Sequence, residues 1–159
     1  MIETENSSKT NIDDVSFIEE FNSKMKKLYA DYNKAINEKK YEYAIKIGKD
    51  ILRDLLKIAK EQLISNLRSL EIRKIVEDII NYHEKNLGYV EGIEEAMRNV
   101  PLIYSYEIKE RALATLSSSI QELFSFILGA LMIITDINSN FPNERINMKE
   151  NFKETFNFI

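Results

Sequence analysis

A chain of 159 residues is the size of one domain and can bury enough surface to need no covalent staple. It has no cysteine, which excludes disulfides, thiolate metal sites and a cysteine nucleophile. A net charge of −4 argues against a dedicated nucleic-acid binder, and four glycines and two prolines encode few turns, so long helices are expected.

In chain order, residues 1–12 are polar, lack the layout of a signal peptide and read as a disordered leader. A first helix is predicted from Asp13–Ser16, where Ser16 and Glu19 have capping-box spacing. Ile18, Phe21, Met25, Leu28, Tyr32 and Ala35 then recur in steps of three and four, the mark of one helical face. A polar break at Glu38–Lys40 leads into a second helix from Tyr41 to Leu67. Its apolar face is Ala44, Gly48, Ile51, Leu55, Ala59 and Leu63, widened by Ile45, Leu52 and Leu56. Gly48 is expected to let the backbone of the first helix come close.

Ser69 either caps a third helix or sits at a bend in one long helix. Ile72, Ile75, Val76, Ile79, Ile80 and His83 carry the pattern on, and Asn86–Gly88 reads as its stop. A short helix is predicted over Val90–Asn99, ended by Pro101, followed by an apolar connector at Leu102–Tyr106. The last long helix, from Tyr106 to Asp136, has a stripe of Ile108, Ala112, Leu116, Ile120, Leu123, Ile127, Leu131 and Ile134. Past Leu123 its polar face disappears. The apolar run Leu123–Ile134 is about half the ~20 residues of a membrane span, so a buried helix is expected and no membrane. After a break at Asn138–Asn143, the tail places Met148, Phe152, Phe156 and Ile159 on one helical face.

The fold expected is all-α: one antiparallel bundle of about five helices over residues 13–137, with 138–159 as linker and amphipathic tail. No P-loop or dinucleotide fingerprint can be assembled from Gly48, Gly88, Gly92 and Gly129. His83 is the only histidine and has no glutamate three residues before it, so no di-metal carboxylate motif is present; no metal or cofactor is expected. Ser117–Ser119 lacks an elbow motif and reads as a place where helices pack closely. No catalytic residue is assigned. The residues expected to meet a protein partner or a second copy are Phe126, Ile133, Met148, Phe152, Phe156 and Ile159. Lys24, Lys26, Lys27, Lys39 and Lys40, set among tyrosines, are the candidate nucleic-acid patch, with a solvated face the simpler reading.

Within Leu28–Ala59, the cadence of Tyr32, Ala35, Tyr41 and Ala44 resembles the opening hairpin of small prokaryotic HEPN-type bundles, although helical hairpins of the TPR and MIT kind share the spacing. The catalytic members carry an arginine followed four to six residues later by a histidine. Here Arg73 and His83 are farther apart, and Arg98 and Arg111 have no histidine after them. The resemblance therefore implies a helical bundle without the usual nuclease centre. The leading expectation is a non-enzymatic interaction protein, a small subunit or adaptor in a cytoplasmic assembly. The alternatives are a divergent HEPN-like ribonuclease or toxin-related protein, using His83 with Arg73 or Tyr82, and a nucleic-acid-binding accessory subunit.

Overall fold

The computed structural model describes residues 2–64, 67, 69–99, 102–141 and 143, with side chains described for these except at 2–15, 17, 102–104, 137 and 138. Among the described residues there is no strand. Four α-helices follow in order: α1 (Ile2–Asn37), α2 (Tyr41–Ile58), α3 (Leu70–Met97) and α4 (Leu102–Asn140). A π-helical segment, Ala59–Ile64, continues α2.

α2 packs against all three other helices, and α4 also meets α1 and α3. That is what its broad apolar arc requires: Ala44, Ile45, Gly48, Ile51, Leu52, Leu55, Leu56 and Ile58 are all buried. The widened π-helical turn then brings Ala59, Gln62 and Leu63 inward together. From α1 the core takes Phe21, Met25, Tyr32 and Ala35, and from α4 the stripe from Ala112 to Ile134.

The cross-helix pairs order the elements. Lys49, Arg53 and Lys60 of α2 and the π-helical segment pair with Glu94, Glu91 and Glu84 of α3, so one numbering rises as the other falls. Phe21 meets Phe124 at 5.8 Å between ring centres, while Tyr32 reaches Ser117, so α1 and α4 are related in the same way. The α1–α2 turn closes with Lys40 N–H donating to the Ala35 carbonyl and Lys39 N–H to the Ile36 carbonyl. These are the two bonds of a Schellman cap, and they place Lys39 at φ 61° in the position usually taken by glycine.

Four expectations change. The first helix begins at Ile2 and not at Asp13–Ser16, because extending an existing helix costs far less than nucleating one; Ser16 and Glu19 lie inside it. Asn86–Gly88 is no stop: α3 runs through it, held by buried Val90 and by Asn86 Nδ2 donating to Ser119 Oγ at 2.7 Å, and this tertiary packing outweighs the ~1 kcal/mol cost of one helical glycine. Leu102–Tyr106 is the first turn of α4, starting directly after Pro101, so the described residues hold four α-helices. Gly48 admits the Tyr32 ring and Leu116, not the α1 backbone: a Cβ there would lie 2.8 Å from Tyr32 Cε1 and 3.0 Å from Leu116 Cδ1. Ser69 is the N-cap of α3, its hydroxyl accepting from Ile72 N–H.

Candidate functional site

The second half of α4 is apolar on more faces than its neighbours cover. Leu123, Ile127, Leu131 and Ile134 point into the core, and Phe124, Phe126, Leu128 and Ala130 pack partly against it. Met132 and Ile133 remain 59% and 63% exposed. Of the two expected partner-binding residues in this helix, Phe126 is half-buried and Ile133 is the open one. Met148, Phe152, Phe156 and Ile159 lie outside the described residues.

α3 adds a second apolar stretch that periodicity had folded into the core. Val76, Ile80, His83 and Val90 are buried, whereas Leu70, Ile72, Ile75 and Tyr82 are exposed. Two stripes of the same three-and-four spacing run along this helix, offset by one residue or about 100°, and only one can face inward. The pairs Asn86–Ser119 and His83–Glu122 fix the α3–α4 register. Continued toward the start of α3, it sets Ile72 and Ile75 beside the stretch holding Gly129 and Ile133. Leu70, Ile72 and Ile75 of α3 and Ile133 of α4 are thus exposed apolar side chains in the halves of the two helices that this register sets side by side, whereas Met132 lines the cleft toward α1. By length and composition α4 is also apolar enough to cross a membrane, its most apolar stretch within Ser105–Asp136 having mean hydropathy 1.6.

The residues considered for catalysis have other partners. His83 is 2% exposed; its Nε2 lies 4.0 Å from Glu122 Oε2 and its Nδ1 has no hydrogen-bond partner. Burial holds its pKa below the usual value, with Glu122 pulling the other way, so the ring is neutral near pH 7. Arg73 donates to the Leu67 carbonyl at 2.6 Å, and ten residues of helix put it about 15 Å along the axis from His83. Tyr82 meets His83 edge to face, with ring centres 5.1 Å apart. In the serine run, Ser117 shares a 2.8 Å bond with the Tyr32 hydroxyl, Ser118 donates to Glu122 and Ser119 accepts from Asn86. Among the described residues no group of three or more histidine, aspartate and glutamate side chains converges.

The five lysines divide into two groups. Lys24, Lys26 and Lys27 lie in the middle of α1, and Lys39 and Lys40 lie at the turn after it, about 18 Å farther along the helix axis. Lys40 pairs with Glu38 at 3.1 Å. Two polar clefts flank α3. One of about 400 Å³ has the Lys109–Glu42 pair at its edge, and one of about 480 Å³ has the Arg53–Glu91 and Lys60–Glu84 pairs. A third cleft, between α1 and α4, is the more apolar; Ile18, Asn22, Leu128 and Met132 form it.

Comparison of the chain with protein-family models, with curated proteins and with solved structures finds no match. The site residues that sequence reading missed are Leu70, Ile72, Ile75 and Met132. Their signal was present as the second, offset stripe of α3 and as the loss of polar residues around α4.

Proposed function

We propose that this chain is a non-enzymatic interaction protein, the small subunit or adaptor of a larger cytoplasmic assembly, built as a single antiparallel helical bundle with a short C-terminal amphipathic tail. The observation that carries the reading is the exposed aliphatic side chains Leu70, Ile72 and Ile75 of α3 and Ile133 of α4, in the halves of the two helices that their register pairs. Large exposed aliphatic surfaces are uncommon on monomers and mark sites of association. The chemistry supports the same reading: His83 is buried and neutral, and the Ser117 and Ser119 hydroxyls are spent on helix-to-helix bonds.

The test compares the chain with a double Ile75→Glu, Ile133→Glu variant. Both positions are exposed, so the variant should keep its helical content and melting temperature. Light scattering and capture from extracts of the native host are then run in parallel. Association or a retained partner that disappears in the variant is the expected result. A monomer that retains nothing, yet cleaves mixed RNA until His83 is replaced by alanine, would overturn the proposal in favour of a divergent ribonuclease.

A further inference from the structure

The cleft between α1 and α4 has a volume of about 480 Å³ and an apolar floor of Ile18, Leu128 and Met132, with Glu19 and Asp136 also in its lining. Asn22 lines its α1 wall, and the Asn22 Oδ1 is buried with no hydrogen-bond partner. A buried acceptor left unpaired is costly, and polar groups in such positions normally have a partner. The cleft is thus open in two respects: its apolar floor is uncovered and its acceptor lacks a donor.

The sequence that follows α4 has the matching pattern. Ser139 lines the cleft and α4 ends at Asn140, so the chain leaves the helix at the mouth of the cleft. Met148, Phe152, Phe156 and Ile159 then form one helical stripe. Lys149 and Lys153 flank that stripe on one side, Asn147, Asn151 and Thr155 on the other, and Glu150 and Glu154 fall opposite. Residues 148–159 as a helix span about 18 Å, and Leu128 to Ser139 along α4 spans about 16 Å. The connection over 141–147, containing Pro142, has the length usual between neighbouring helices.

We propose that residues 148–159 dock in this cleft as a helix, running back along the end of α4. The stripe of Met148, Phe152, Phe156 and Ile159 covers Ile18, Leu128 and Met132. Lys149 and Lys153 face Asp136 on the α4 rim, and the amide and hydroxyl flank faces α1, where it provides the donor that Asn22 lacks. Twelve residues are too few for a stable helix alone in water, so helix formation and docking occur together. The tether favours this occupant over a second copy, because a short linker holds the segment at an effective concentration in the millimolar range. Ile72, Ile75 and Ile133 lie outside the cleft and stay available to a partner.

The absence of cysteine makes the test clean, since any introduced pair is the only pair. Full-length chains carrying Glu19→Cys with Thr155→Cys, or Lys74→Cys with Thr155→Cys, are oxidised mildly at low micromolar concentration. Glu19 and Lys74 are both exposed, so both chains should fold, which circular dichroism checks. Glu19 is at the cleft, and Lys74 is on α3. The expected result is an intramolecular disulfide that forms at least tenfold faster for the first pair, an advantage abolished by adding Phe152→Asp and Phe156→Asp. Equal rates for the two pairs, an advantage that survives the aspartates, or covalent dimers whose yield rises with concentration would each overturn the docking.

Discussion

Gly48 sets how closely α2 meets α1 and α4. The Tyr32 ring lies against it, and that ring cannot withdraw easily: its hydroxyl donates to the Leu113 carbonyl at 3.0 Å and shares a 2.8 Å bond with Ser117, and the residue is fully buried. The same burial raises the phenol pKa to about 12, so it stays a protonated donor well above neutral pH. Two effects oppose each other in Gly48→Ala. Alanine gains up to about 1 kcal/mol of helix propensity. Its methyl meets Tyr32 Cε1 at 2.8 Å and Leu116 Cδ1 at 3.0 Å, and overpacking of this kind typically costs about 1–3 kcal/mol, with the Tyr32 hydrogen bonds at risk besides. The steric effect should win. Urea unfolding of Gly48→Ala is expected to show a net loss of about 1–2 kcal/mol, and a variant as stable as the parent would mean that the ring has room to shift.

At the scale of elements, the α1–α2 hairpin was the most legible part of the chain. Its polar break at Glu38–Lys40 coincides with the Schellman turn, and the stripes predicted on either side are buried except for the half-buried Ile18 and Leu28. Lys39 alone sits badly there, because a left-handed conformation costs a side-chain-bearing residue roughly 1–2 kcal/mol that glycine avoids. Glycine's greater freedom in the unfolded chain returns about half of that. Lys39→Gly should therefore stabilise by about 0.5–1 kcal/mol, seen as a melting temperature higher by roughly 2 °C. No rise would show that the turn holds Lys39 without strain. α3 was the least legible element. Asn86 and Gly88 are stop signals by local propensity, yet they lie mid-helix because Val90 is buried and Asn86 binds Ser119, a long-range bond that no local window contains. The two offset stripes of α3 read equally well as core, and only the position of α4 decides that Val76 and Ile80 turn inward while Ile72 and Ile75 do not.

For the whole molecule, the candidate surface was half legible. The loss of polar residues past Leu123 pointed to Ile133, but the α3 contribution depends on register between helices, which composition does not carry. The same distinction separates Asp54 and His83, two titratable groups set into the core margin on different helices, whose effects on stability have opposite signs. Burial and the neighbouring Asp50 raise the Asp54 pKa from 3.8 to about 6, against the opposing pull of Lys57. Between those values the folded chain binds the extra proton, so the stability Asp54 contributes is full below 3.8 and is lost as pH rises through about 6. Burial lowers the His83 pKa below 6.5, so its contribution is present above 6.5 and is lost as pH falls through the folded value. In the parent chain the two partly cancel between pH 5 and 7. Asp54→Asn removes one of them. At pH 7 it should stabilise by about 1 kcal/mol, a figure kept small because the carboxylate is half exposed and screened. On acidification to pH 5 it should lose stability more steeply than the parent, because the effect of His83 then acts unopposed. Urea midpoints of the parent and Asp54→Asn at the two pH values measure this directly, and parallel profiles would show that Asp54 titrates alike in the folded and unfolded chain.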